Sequence, residues 1–211
     1  ISLGKNGCYF KPQSHACFIK GPIDDLESIV QHTIDEAAIF SNGSGIGQDI
    51  GVLREEGAPL SGGGKASGPL SFLKIYDDHA GTIKSGGKSR RAARMTTMRY
   101  DHPDIIKFVK GKVREDKKAL DLMKAGYGTG MDGEAVTTVT FQNTNISVRI
   151  EDDFFEKVEN NGKIQLKSVV DGKIVGEVEA KRMLQEIAFG SWRIGDPAIQ
   201  YDTKIQEMHP C

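Results

Sequence analysis

Stretches of helical and of strand-like periodicity take turns along this chain, and that alternation restricts the fold more than any other feature. DDLESIVQHTIDEAAIF (24–40) sets Leu26, Ile29, Val30, Ile34, Ala37 and Ala38 at helical spacing. Asp24 and Asp25 stand at its start, where carboxylates complement the helix dipole. IGQDIGVLRE (46–55) reads as a strand, and 68–84 as a helix with Pro69 suited to its first turn. AARMTTMRY (92–100) predicts a strand, and 102–126 a helix closed by Gly126. The segment 137–150 predicts a strand with its exit, and 151–160 a short helix. Residues 163–180 predict a hairpin about Asp171-Gly172, with 163–177 read as an insertion, and 178–195 a last helix closed by Gly195. No internal repeat and no linker breaks the order. The expected fold class is α/β, with 1–211 forming a single partial domain.

Two glycine-rich basic stretches, SGGGKASG (61–68) and KSGGKSRRAARM (84–95), invite a phosphate-binding reading. A Walker loop requires G-x-x-x-x-G-K-[ST] between a strand and a helix. After Gly64-Lys65 stands Ala66, which lacks the magnesium-binding hydroxyl, and the required first glycine is replaced by Pro59. Gly87-Lys88-Ser89 has the right ending, but Gly81 lies one residue too far back, and the helix precedes the loop instead of following it. GSGIGQ (43–48) lacks the third glycine of the dinucleotide fingerprint. Neither loop is a P-loop. Backbone N–H groups of glycine turns can still bind anions, and Lys65, Lys84, Lys88, Arg90, Arg91 and Arg94 concentrate positive charge here. Two solvated loops are the simpler alternative on composition alone.

Elsewhere charge is balanced, 28 basic against 29 acidic residues, so bulk attraction to nucleic acid or to an anionic membrane is not indicated. No run is long and apolar enough to span a bilayer, and no signal-peptide pattern opens the chain. Cys8, Cys17 and Cys211 are odd in number and far apart, which argues against a disulfide scaffold or a zinc knuckle. His15, His32, His79, His102 and His209 lack ligand spacing, so no metal site is expected. A cytoplasmic location with reduced thiols is the expectation. Because the chain begins at Ile1 and stops shortly after GDPAIQYD (195–202), a fragment is expected.

The stretch 53–95, LREEGAPLSGGGKASGPLSFLKIYDDHAGTIKSGGKSRRAARM, closely resembles the large catalytic subunit of ribonucleotide reductases. The adenosylcobalamin-dependent class II branch resembles it most. SHACFI (14–19), KVREDKKALDLMKAGY (112–127), TVTFQNTNISVRI (138–150) and GDPAIQYD (195–202) resemble the same branch in the same order. One departure is Met131-Asp132 before Gly133-Glu134-Ala135, where the family commonly has an aromatic residue and Asn. The first dozen residues match nothing in the family.

The resemblance implies the first half of a ten-stranded α/β barrel, made of two five-stranded halves around a finger loop that carries a thiyl-radical cysteine. The family's Asn-x-Cys-x-Glu motif is absent from this chain, so the fragment alone is expected to be inactive. The parent enzyme would reduce ribonucleotides, as diphosphates, with adenosylcobalamin as cofactor and a thioredoxin-like dithiol as reductant. Cys17 matches one cysteine of the family's reducing pair, and neither Cys8 nor Cys211 matches the other. Without the resemblance, Cys17 reads as a small buried hydrophobe. Ala16, Cys17, Ser44 and Gly45 resemble the positions lining the nucleoside pocket. The glycine loops resemble two allosteric loops that hold a deoxynucleoside triphosphate effector. Asp24 would meet its sugar and Arg54 its phosphates, with Lys65 a weaker candidate. Lys88, Arg90 and Arg91 would lie between effector and substrate. Helices 24–40 and 68–84 would pair with a second copy in a homodimer. Two rival readings are a stand-alone deoxynucleotide-binding regulatory module and the iron-dependent class I large subunit.

Overall fold

In the computed structural model the described residues are 15–83, 93–130 and 133–210. Five strands form one parallel sheet: β1 (Cys17–Ile19), β2 (Gly45–Asp49), β3 (Arg94–Arg99), β4 (Thr144–Ile150) and β7 (Ala198–Tyr201). Their spatial order is their chain order, and each neighbouring pair is parallel. Parallel neighbours require long crossovers. Here these are α1 (Leu26–Ser41), α2 (Pro69–Thr82), α3 (Ile105–Lys124) with the short α4 (Glu134–Thr137), and then α5 (Asp153–Glu159) through α6 (Ala180–Ile194). Between α5 and α6, β5 (Lys163–Lys167) and β6 (Ile174–Glu179) make a separate antiparallel ribbon, and α7 (Asp202–Met208) ends the described chain.

Strand side chains alternate between faces. One face of the sheet meets the helices: Ile50, Met98, Ile146, Val148 and Ile150 pack with Leu73, Tyr76, Ile105, Phe108, Met183 and Ile187 in the main core. In-register pairing puts Cys17, Gly45, Gly47, Met95 and Ser147 on the other face. Small and polar groups dominate there, and the Met95 sulfur accepts from Ser147 Oγ at 3.3 Å and Gln200 Nε2 at 3.4 Å.

Local signals set several boundaries. Asp25 caps α1 by accepting the Ser28 N–H at 3.1 Å, and Gly195 closes α6 at φ 78°. The strand expected over 46–55 stops at Asp49, because the Asp49 carboxylate accepts the Gly51 N–H at 2.8 Å and turns the chain. The strand expected over 137–150 begins only at Thr144. The residues before it form α4 and a turn in which Phe141 takes a left-handed φ of 64°. Asp77 of α2 holds that turn by accepting the Gln142 and Asn143 N–H groups at 3.0 and 2.9 Å.

Candidate functional site

The four residues resembling a nucleoside pocket come together at the edge where the parallel strands begin. Cys17 and Gly45 are register partners in β1 and β2. The Gly45 N–H donates to the Ala16 carbonyl at 2.8 Å, and Ser44 Oγ donates to the His15 carbonyl at 2.9 Å. Ser44 is buried, whereas Cys17 is exposed as a free thiol on the sheet face that no described helix covers. The buried hydrophobe expected from composition alone is therefore not what Cys17 is. Gly45 has a second physical reason to lack a side chain: a Cβ there would lie 3.0 Å from the Ala93 carbonyl oxygen. That oxygen also accepts the Ile46 N–H at 2.9 Å, so β2 and β3 approach closely at this edge.

Asp24 and Arg54 meet where the strands end. The Asp24 carboxylate accepts from the Arg54 side chain Nε at 2.8 Å and from its backbone N–H at 3.1 Å. Arg54 Nη1 reaches the Pro59 carbonyl at 3.5 Å, and Pro59 forms an antiparallel bridge with Lys65. A guanidinium has five N–H donors. With one well bonded to Asp24 and another weakly to Pro59, Arg54 keeps donors for an anion. The pair is about a quarter exposed on each side and Lys65 is exposed, so both are accessible. Lys88, Arg90 and Arg91, with Lys84, lie outside the described residues. The flanking Ile83 and Ala93 are described, and Ala93 adjoins Gly45 at the edge opposite Asp24 and Arg54.

Arg94 does not belong to an accessible basic patch, contrary to the sequence reading. Its side chain is fully buried against an equally buried Glu36 of α1. Nε donates to Glu36 Oε1 at 2.8 Å, and Nη2 donates to Glu36 Oε2 in a second, short bond. The guanidinium also lies 5.6 Å from the ring centres of Phe40 and Tyr76, in cation–π range. A buried charge needs such pairing, because desolvation penalises it otherwise.

His32, also buried, approaches Glu36 Oε1 at 3.4 Å and binds Gln48 Oε1 at 2.6 Å. Gln48 Nε2 donates onward to Thr96 Oγ1 at 3.1 Å. His32 therefore presents Nε2–H to Gln48, and its buried Nδ1 has no hydrogen-bond partner among the described residues. Burial holds the His79 pKa below its ordinary value, with Glu36 pulling the other way. Sequence reasoning missed this cluster. Its one available signal was the spacing of Ile29, His32, Glu36 and Phe40, which share a single helical stripe and are the buried residues of α1.

Residues 15–211 match the family described as ribonucleotide reductase, barrel domain. The chain is 44% identical over 205 residues to the vitamin B12-dependent ribonucleotide reductase of Rhodopirellula baltica, covering 96% of this chain and 20% of that protein. It is 44% identical to the Streptomyces avermitilis protein of the same name, over 94% of this chain and 21% of that one. A Thermoplasma acidophilum protein named vitamin B12-dependent ribonucleoside-diphosphate reductase is 32% identical over 94% of this chain and 23% of its own length. The chain thus spans about a fifth of the length of the curated relatives it matches. Among solved structures, the Actinobacillus ureae class Id ribonucleotide reductase alpha subunit superposes with a TM-score of 0.61 at 12% identity. That match covers 91% of this chain and 28% of the other, and establishes likeness of fold.

Proposed function

This chain belongs to the ribonucleotide reductases, as part of their barrel domain, and from that premise we propose that it supplies one reducing thiol, part of the nucleoside pocket and part of the effector site of a class II enzyme. The reaction would convert ribonucleoside diphosphates to deoxyribonucleoside diphosphates. The observation that carries the reading is the exposed Cys17 thiol, in register with Gly45 on the sheet face that no described helix covers, beside the Gly45–Ala16 and Ser44–His15 hydrogen bonds. The parallel five-stranded sheet is also what half of a ten-stranded barrel requires.

Replacing the ribose 2′-hydroxyl by hydrogen, with loss of water, consumes two electrons. Two thiols supply them, each giving up a hydrogen as one S–S bond closes. Cys17 would be one, the second being a cysteine other than Cys8 and Cys211. A thioredoxin-like dithiol would then reopen the disulfide by exchange. Adenosylcobalamin, implied by the names of the B12-dependent relatives, would supply the radical that starts the reaction. No described side chain is assigned to hold it.

The Asp24–Arg54 pair would receive the sugar and phosphates of a deoxynucleoside triphosphate, with Lys65 beside it and Lys88, Arg90 and Arg91 nearer the substrate. Exposed Leu26, Val30 and Ile34 on α1, with Ile75 on α2, support a second copy packing on these helices. The test is a full-length reductase containing this segment, assayed with adenosylcobalamin, ribonucleoside diphosphate and a dithiol. Cys17→Ser should remove multiple turnover. Multiple turnover that survives the substitution refutes the reducing role.

A further inference from the structure

Glu36 is fully buried, touches neither the proposed effector pair nor Cys17, and yet holds the strand that adjoins the proposed substrate edge. We infer that Glu36, through Arg94, is a positioning residue that couples the α1–α2 helix pair to the Gly45 edge. It would thereby set how strongly an effector changes substrate preference. The inference rests on the function proposed above and adds to it a residue that neither binds nor reacts.

The contacts form a short, continuous path. Glu36 belongs to α1, and both its oxygens are bonded to the Arg94 guanidinium. Phe40 of α1 and Tyr76 of α2 lie over that guanidinium, and the Tyr76 hydroxyl donates back to the Ile29 carbonyl of α1 at 3.0 Å. A third guanidinium nitrogen, Nη1, reaches Thr144 Oγ1 of β4 at 3.5 Å. One side chain therefore joins both helices to two adjacent strands. Arg94 is also the first residue of β3, directly after Ala93. The Ala93 carbonyl binds the Ile46 N–H and lies against the space where a Gly45 side chain would project. Gly45 is bonded to Ala16 and paired with Cys17.

Two features make this more than packing. A bidentate Arg–carboxylate pair fixes orientation as well as distance, so a shift of α1 must carry Arg94 with it or break the pair. Breaking it would leave two charges without water, which makes the linkage stiff. An apolar contact of similar size would hold the helices together but would allow them to slide. Asp24 immediately precedes α1's cap, and α2 follows the loop that carries Lys65, so both helices start at the proposed effector site. Both run toward the opposite edge, where Ala93 and Gly45 lie.

The experiment uses the full-length reductase with dATP, dTTP and dGTP in turn against the four ribonucleoside diphosphates. Glu36→Gln should reduce the effector-induced change in substrate preference at least tenfold. Activity without effector should stay within about twofold, and direct dTTP binding within about threefold. Because Glu36→Gln leaves Arg94 unpaired, the apolar pair Glu36→Leu with Arg94→Met is made as well. It should recover thermal stability and still lack the preference change. A stable apolar pair that responds to effectors like wild type overturns the inference. Hydrogen exchange on the wild type decides the matter even if both variants misfold. dTTP should change protection of the Ile46 amide, which is bonded to Ala93, and an unchanged amide overturns the coupling. A wild-type enzyme that reduces nucleotides without any effector response refutes the coupling and the effector site but not the reductase. One that reduces nothing refutes the proposed function itself, and the coupling with it.

Discussion

Asp77→Ala should destabilise the protein clearly, and the magnitude follows from what the carboxylate holds. Asp77 is 2% exposed. Its two oxygens accept the backbone N–H groups of Gln142 and Asn143, one each, at 3.0 and 2.9 Å. Alanine removes both acceptors at once. A buried donor left unsatisfied costs about 1–3 kcal/mol, and the half-buried position of this turn argues for the lower part of that range, roughly 2–3 kcal/mol for the two. The same bonds hold the segment in which Phe141 has φ 64°, a left-handed conformation that persists only where surrounding structure supports it. The expected loss is thus about 2–3 kcal/mol, a Tm drop of roughly 4–12 °C at the size of this chain. Asp77→Asn keeps one acceptor oxygen and should lose about half as much. Urea unfolding of the three proteins gives the ranking, and hydrogen exchange should show the Gln142 and Asn143 amides losing protection in the alanine variant. A loss below about 0.5 kcal/mol, within the range of an ordinary surface substitution, would refute the clamp.

Two further expectations follow from the charged groups. Arg54→Ala should weaken deoxynucleoside triphosphate binding by roughly 10- to 100-fold, the worth of a charge-assisted bond of about 1.5–3 kcal/mol, while reduction without effector persists. Equilibrium binding of dTTP to wild type and variant checks this, and equal affinities would remove Arg54 from the effector site. Burial lowers the His79 pKa in the folded protein, so the unfolded chain takes up the proton first as pH falls. The stability linked to His79 is then fully present above about pH 6.5 and declines as pH drops through the folded value. His79→Gln should flatten that part of the stability–pH curve, and an unchanged curve would show that His79 is not the group responsible.

Much of the secondary structure was legible because it is written in local chemistry. The start of α1 was marked by Asp24-Asp25 and the end of α6 by Gly195, and each works through atoms a few residues away. The glycine count at 61–68 marked a loop, and Gly63 and Gly64 do take φ values of 87° and 93°. The grouping of Ala16, Cys17, Ser44 and Gly45 came from family resemblance, since residues so far apart in sequence give no local hint that they are neighbours. The turn before β4 reads as strand in the sequence because apolar and polar positions alternate at the start of 137–150. The carboxylate that bends it, Asp77, sits on a different element.

By itself the sequence determined that helices and strands would alternate, where most of them would stop, and which family's barrel they build. Only the tertiary structure decided which side of α1 faces inward. Leu26, Val30 and Ile34 point to solvent, while His32 and Glu36 are buried. Hydrophobicity alone would favour the opposite rotation. The outcome depends on Arg94, which follows α2 in the chain and which the parallel register of β2 and β3 brings against α1. A carboxylate is tolerated in a low-dielectric interior when a cation is already fixed there to meet it, and that condition is set by the fold and not by the residues adjoining Glu36.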